Sequence, residues 1–396
     1  MGIAKMTSPR TATIYLTDHC QYACKHCFLT DQGRLNKHHL STGQIDHVVE
    51  VLAKHKAYMH PVSGGDPTLS PHFEYALRKL HENNMLALLG LNATAYSKET
   101  KEFISSLGIK KVQVGLDSLQ RQHIQAKPGV FEASTWIDDL QKYFDVTVNV
   151  TLTADNFHEF AELTDELLHR GVEKVRFNLW RTTAEGRDAG IKRLIRPQIE
   201  RLQNWAQTQP EGAVEIVAPR NTMPKLTILA DGTITLSELH KSFGTIEGDF
   251  VESYLAHLER RAQPILSKLM QPAENIIIVR REQINASARV YIMHGKPRVL
   301  LADDLSKPEQ ALAYLHEMGH VELGLLGDDY DRSQDPDVER RVNLWAVAKF
   351  RPVVSDRFYQ RAKGYAQDHD EDGLWTYFRR WLYHHLVLEA ELIDEI

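Results

Sequence analysis

The sequence predicts an α/β fold, a partial (βα)6 TIM-type barrel, followed by a second α+β domain that is mainly helical. Three observations predict it. From residue 12 to about 180, short apolar runs alternate with longer amphipathic ones, the rhythm of repeated β–α units. At 396 residues the chain exceeds the roughly 250 to 300 at which a single core stops growing. Past residue 270 the pattern changes to a strand pair and long helices.

In order along the chain, the runs 11–16, 57–62, 85–91, 111–116, 146–152 and 175–179 are rich in β-branched and aliphatic residues and read as strands. Between them, 44–54, 73–82, 98–106, 135–143 and 159–170 carry apolar residues at helical spacing. Six such units are two short of a closed eight-stranded barrel, and in barrels of this type the chemistry sits on loops after the strands. Segment 226–249 reads as a hairpin turning at Asp231-Gly232, and 251–271 as a connecting helix. A strand pair, 289–293 and 298–301, precedes a helix opened by Ser306-Lys307-Pro308-Glu309, which is an N-cap, a first-turn proline and a capping-box glutamate. That helix runs to about 326, and Asp335-Pro336 opens another that Pro352 ends. The expected domains are 1–195 (barrel), 196–270 (bridging segment) and 271–396 (second domain). In the last of these, Trp375, Phe378, Trp381, Leu382 and Leu386 fall at helical spacing and read as core.

Composition excludes several classes. Hydrophobic residues make up 42% and charged residues 25%, with no apolar run near the ~18 to 20 residues that would span a bilayer. The net charge is -6, from 47 Lys+Arg against 53 Asp+Glu, so the basic footprint of a nucleic-acid binder is missing. Residues 1–6 contain no apolar stretch of signal-peptide length, which leads to the expectation of a cytoplasmic protein.

The three cysteines, Cys20, Cys24 and Cys27, lie within eight residues. An odd count argues against a disulfide framework. Thiolates spaced C-x3-C-x2-C can hold three irons of one 4Fe-4S cluster and leave the fourth open to a substrate. A zinc site would need a fourth ligand such as His19 or His26. The cysteine loop follows the first strand, and Ser63-Gly64-Gly65-Asp66-Pro67 follows the second, so both face one rim.

With these motifs the segment of about 10–190 resembles the radical SAM superfamily. His26 stands in the aromatic slot of its cysteine motif, and Gly64-Gly65-Asp66-Pro67 stands for its Gly-Gly-Glu-Pro segment. The resemblance implies that the open iron takes the amino and carboxylate groups of S-adenosylmethionine (SAM), whose ammonium is held by the Gly64-Gly65 backbone and Asp66. Gly115-Leu116-Asp117-Ser118 with His123 and Lys127 is similar to a further SAM-contacting stretch, Lys127 offering charge to the SAM carboxylate. Asn149 and Thr183-Ala184-Glu185-Gly186 complete the resemblance. The hairpin of 226–249 is similar to the start of the SPASM or twitch extension of peptide-modifying members, but Ser237 stands where that group has a cluster cysteine, so one cluster is expected.

On the helix after residue 306 lies His316-Glu317-Met318-Gly319-His320. Residues four apart share a helix face, so both imidazoles can bind one zinc, with Glu317 beside the metal-bound water as general base. Glu339, on one face of the next helix with Val342, Asn343 and Ala346, supplies a third ligand and leaves the fourth position for water. Residues 275–365 resemble the ImmA/IrrE-type, zincin-like metallopeptidases, which implies a zinc-dependent peptidase.

The expected function is a radical SAM enzyme that splits SAM reductively at one cluster and modifies a peptide or small protein, with an electron donor such as a flavodoxin or ferredoxin. A fused zinc peptidase then cuts the same substrate. One alternative is a regulator in which the cluster senses oxygen or iron and gates a peptidase acting on a repressor. Another is a module in which zinc is structural and only binds substrate.

Overall fold

The structure, a computed structural model, describes residues 9, 11–22, 24, 26, 27, 29, 38–92, 97–118, 137–180, 190–217, 225–236, 242–271, 273–284, 286–305, 307–325, 336–353, 356–368 and 374. It divides into two compact units, 9–251 and 252–396. His123, Lys127, the segment 183–186, Ser237 and the aromatic residues beyond 374 lie outside the described residues.

The first unit is built on one sheet. Seven parallel strands follow in chain order: β1 (Thr13–Thr17), β2 (Met59–Gly64), β3 (Leu86–Asn92), β4 (Lys111–Gly115), β5 (Asp145–Leu152), β6 (Lys174–Leu179) and β7 (Val214–Val217). The sequence reading stopped at six and left β7 in the bridging segment. β7 is four residues long and nowhere fully buried, so it lacks the apolar run that marks the others. Three short strands extend the opposite edge: β8 (Thr227–Ile228) pairs parallel with β1, then β9 (Thr233–Thr235) and β10 (Gly244–Thr245) follow antiparallel. The β8–β9 turn is at Asp231-Gly232, where Gly232 has φ +81° and Asp231 Oδ1 accepts from Thr233 N. Among the described residues the sheet stays open between β7 and β10.

Alternation explains the packing. In β5, Val146, Val148, Val150 and Leu152 are buried while Thr147, Asn149 and Thr151 point to the other face, where Asn149 Nδ2 donates to Gln113 Oε1 at 3.0 Å. The buried faces are met by helices α1 (Thr42–Lys54), α2 (Phe73–Glu82), α3 (Lys98–Ser106) and α4 (Phe160–His169), with α5 (Arg196–Ala206) before β7. Helix α1 shows the local logic: Ser41 caps it in a reciprocal box with Gln44, and Ile45, Val48, Val49 and Leu52 form its buried stripe. The seven parallel strands therefore end on the same rim, which sets β1, β2 and β3 side by side where the cysteine and glycine motifs begin.

Helix α6 (Phe250–Leu269) leads into the second unit. Its sheet has the order β11-β13-β12, from β11 (Ile276–Val279), β12 (Ala288–Met293) and β13 (Lys296–Ala302). The β12–β13 hairpin turns at His294-Gly295, both at positive φ, the geometry that matches strand twist. Helices α7 (Lys307–Glu322), α8 (Pro336–Phe350) and α9 (Asp356–Gln367) follow. Helix α7 ends earlier than the sequence reading placed it, because Gly324 takes φ +66° and Gly324 N and Leu325 N bond back to Val321 O and His320 O, a Schellman end. No helix among the described residues is long and apolar enough to cross a membrane.

Candidate active sites

The first candidate site is the rim where β1 and β2 end. Leaving β1, Asp18 is buried and holds His38 through its backbone N–H at 2.6 Å and ring Nδ1 at 2.7 Å, which fixes the start of the cysteine loop. Cys27 N bonds to Cys24 O at 2.9 Å, and Cys27 lies near enough to Cys20 for its charge to act on that thiol. The Cys20 sulfur accepts from Tyr22 N at 3.4 Å and from Asn92 Nδ2 at 3.2 Å. Burial pushes the Cys20 thiol up, the two N–H donors pull it down, and the charges of Asp66 and Cys27 push it up further. A bound cation reverses that cost, so three thiols on one tight loop are a donor set that fits an iron–sulfur cluster.

The glycine pair serves contact between the two loops. Gly65 N donates to Thr17 O at 2.9 Å and Asp66 N to His19 O at 2.8 Å. A Cβ at Gly64 would lie 2.1 Å from Thr17 O, and one at Gly65 2.2 Å from His19 O, so any side chain here would push the loops apart. Asp66 is 1% exposed; its Oδ1 accepts from Thr68 N and Oγ1, and its Oδ2 from Gln21 Nε2 at 3.0 Å. Asp66 thus ties the glycine loop to the cysteine loop.

The cysteine loop is also tied to distant strands. His26 O accepts from Trp180 Nε1 at 3.3 Å beyond β6, and His26 Nε2 lies 3.4 Å from Asp117 Oδ2 beyond β4. Asp117 in turn accepts from Thr151 N at 2.8 Å on β5. Asn149 Oδ1, on the sheet face that ends at this rim, is buried with no hydrogen-bond donor among the described residues, the kind of orphaned acceptor that a polar small molecule would satisfy.

The second site is in the other unit. His316 Nε2 lies 3.1 Å from Glu339 Oε2, His320 Nε2 3.6 Å from Glu339 Oε1, and the two Nε2 atoms are 3.3 Å apart. Ligand atoms at about 2.0 to 2.1 Å around a tetrahedral ion stand roughly 3.3 Å from each other, so the triangle has the size zinc requires. His316 Nδ1 is 2.9 Å from Asn343 Oδ1, and since that oxygen only accepts, Nδ1 carries a hydrogen, so that in the neutral ring the lone pair is on Nε2, the atom that faces Glu339 and His320. Burial lowers His316 and raises Glu339, but their mutual attraction outweighs it, leaving His316 up and Glu339 down. Glu317 sits beside this triangle; burial pushes its carboxyl up, against the His316 charge and an N–H bond from Val290.

The close approach of α7 to α8 that makes this triangle depends on Gly319, where an added Cβ would lie 3.1 Å from Val342 Cγ1 and 3.2 Å from Trp345. Strand β12 borders the site and is an edge strand of its sheet among the described residues. Ala302 N bonds to Ser287 O, so in the antiparallel register 289, 291 and 293 face β13 while 288, 290 and 292 face outward. The outward Val290 N–H is the one that meets Glu317.

The structure therefore brings Cys20, Cys24, Cys27, His26, Gly64, Gly65 and Asp66 to one rim, and His316, Glu317, His320 and Glu339 to one cluster. Sequence reading missed Asn92, Trp180, Gln21 and the Val290 edge. The one signal for Asn92 was a polar residue closing an apolar strand run on the rim side.

Residues 14–167 match the Radical SAM superfamily. That segment is similar to a radical SAM domain and makes up less than half of the chain. The AdoMet-dependent heme synthase of Methanosarcina barkeri is 22% identical over 222 residues, covering 54% of this chain and 63% of that protein. The mycofactocin maturase MftC of Mycobacterium ulcerans is 23% identical over 168 residues, covering 40% and 45%. Among solved structures, Streptococcus suis SuiB bound to S-adenosylmethionine superposes with a TM-score of 0.52 at 14% identity, over 63% of this chain and 66% of that one; SuiB bound to its precursor peptide SuiA also gives 0.52. This chain thus spans less than two thirds of each of these proteins, and the SuiB likeness is one of fold. The radical SAM match lies wholly within the first unit.

Proposed function

We propose that the first unit is a radical SAM enzyme acting on a peptide or small protein, and that the second unit is a zinc peptidase that cuts the same substrate. In this reading the catalytic barrel begun in 1–195 takes in β7 to β10 from the segment 196–270, and 271–396 is the ImmA/IrrE-like, zincin-like domain. The radical SAM half is supported by the superfamily match over 14–167 together with three thiols on a loop sealed against Gly64-Gly65. That the substrate is a peptide is drawn from SuiB, solved with its precursor peptide, and from the maturase MftC.

Cys20, Cys24 and Cys27 would hold the cluster; the Gly64-Gly65 backbone, Asp66, Asn149 and Lys127 would hold SAM, with His26 against it. Bound together, cluster and SAM supply reductive cleavage of the sulfonium and abstraction of a hydrogen atom from substrate. What the chain's own residues do is hold: Asp66 and Gln21 keep the two loops in register, and Asp117 and Trp180 fix His26 from two further strands. The electrons come from a reduced partner protein.

The observation that carries the peptidase half is the triangle of His316, His320 and Glu339 at zinc-ligand spacing with Asn343 behind His316. Zinc bound there supplies an acidified water and a polarised carbonyl. Glu317, with its carboxyl raised by burial, takes the proton. The outward backbone groups of Ala288 and Ile292, on either side of the Val290 N–H that Glu317 accepts, offer a strand edge to which an extended peptide can pair across the site.

The experiment is anaerobic reconstitution of the full chain followed by metal analysis and incubation with reductant and SAM. About four irons and one zinc per chain, with 5′-deoxyadenosine formed, support the reading. Iron without 5′-deoxyadenosine overturns the first half and favours a sensing cluster; absence of zinc overturns the second.

A further inference from the structure

We infer that Asn92 is a positioning residue that donates a hydrogen bond to the Cys20 sulfur and thereby raises the reduction potential of the cluster the cysteines hold. The inference rests on the reading of Cys20, Cys24 and Cys27 as cluster ligands and adds a residue that acts on the cluster without touching iron.

Asn92 is the last residue of β3, paired with Gly115 at the end of β4, and so stands on the rim across from the cysteine loop. Its Nδ2 lies 3.2 Å from Cys20 Sγ and 3.4 Å from Gly65 O. The second contact settles which end of the amide faces the sulfur. A backbone carbonyl only accepts, so the NH2 end must point at Gly65 O, and its other hydrogen is then available to the sulfur. One side chain thus grips both the first cysteine and the glycine loop. Tyr22 N is the other N–H donor to Cys20 among the described residues, and as a backbone group it is not removed by a side-chain substitution. Asn92 is therefore the side-chain N–H that sequence change can use to adjust this sulfur.

The direction follows from charge. Reduction adds one negative charge to the cluster, and part of it falls on the ligand sulfurs. An N–H aimed at a sulfur stabilises that added charge, more so where water is largely excluded, and Cys20 is partly buried. Removing the donor leaves the reduced state less stable and moves the midpoint to more negative potential. The Gly65 bond is the geometric partner: it fixes the amide so that the hydrogen stays on the sulfur.

The test compares wild type, Asn92→Ala and Asn92→Asp as reconstituted full-length protein without SAM, by redox titration followed with electron paramagnetic resonance, with iron counted in each. Asn92→Asp keeps the size but replaces the donor with a charged acceptor, which guards against a result due to a packing void alone. The expected result is about four irons in all three proteins and a midpoint shifted negative in Asn92→Ala and further negative in Asn92→Asp. Unchanged midpoints in iron-loaded variants overturn the inference, as does a loss of iron in the variants with the remaining clusters titrating at the wild-type potential, which marks a purely structural role. Wild-type protein that binds no cluster overturns instead the reading of the cysteines.

Discussion

His316 Nε2 and Glu339 Oε2 stand 3.1 Å apart although they belong to different helices, and Asn343, one turn beyond Glu339, holds the far side of the same imidazole. A metal site made this way is only as good as the helix pairing beneath it. Replacing Glu339 with Ala removes one of the three proposed zinc ligands, and zinc retention measured by metal analysis after dialysis is expected to fall by at least tenfold. Asn343→Ala is expected to cost about 10- to 100-fold in zinc affinity, since the ring loses its orienting partner but no ligand is lost.

Gly319 sits at the closest approach of α7 and α8. Gly319→Ala places a methyl 3.1 Å from Val342 and 3.2 Å from Trp345, so those side chains must give by a few tenths of an ångström. A destabilisation of about 1 to 3 kcal/mol is expected, partly offset by the better helix propensity of Ala, together with weaker zinc binding. Denaturant melts of the zinc-free protein and a zinc titration measure the two effects separately.

Much of this was legible in the sequence where a signal is local. The cysteines lie within eight residues, His316 and His320 are one helical turn apart, and Glu339 was readable from the face it shares with Asn343. What was not legible depends on partners far away in the chain. Asn92 reaches Cys20 across 72 residues and Trp180 reaches His26 across 154, and no spacing rule connects them before the strands are set side by side. β7 escaped because four half-buried residues make no apolar run, and β11 because its pairing to β13 is a parallel contact without a hairpin turn. Lys127 and His123 lie outside the described residues.

His60 on β2 is fully buried, and burial lowers its pKa in the folded chain. The unfolded chain therefore binds the proton more readily. Stability is unaffected above the unfolded value of about 6.5 and falls as pH drops from there toward the folded value, by up to about 1.4 kcal/mol per pH unit for one proton. Melting temperatures between pH 7 and pH 5 are expected to fall more steeply in wild type than in His60→Leu.

Cys20, Cys24 and Cys27 are the whole cysteine complement. Any single Cys→Ala change is expected to drop iron from about four per chain to a small fraction and to abolish 5′-deoxyadenosine formation, with zinc content unchanged. Iron near eight per chain in wild type would contradict a single cluster.

Whether one substrate is modified and then cut is decided by mass spectrometry of a candidate peptide incubated with reduced protein and SAM, comparing Glu317→Gln with Cys27→Ala. Glu317→Gln is expected to form 5′-deoxyadenosine and accumulate a peptide of altered mass but full length, whereas Cys27→Ala is expected to leave the peptide unmodified and to cut only material modified beforehand. Loss of 5′-deoxyadenosine formation in folded Glu317→Gln, or cleavage of unmodified peptide by Cys27→Ala at the rate wild type cuts modified peptide, would contradict that order.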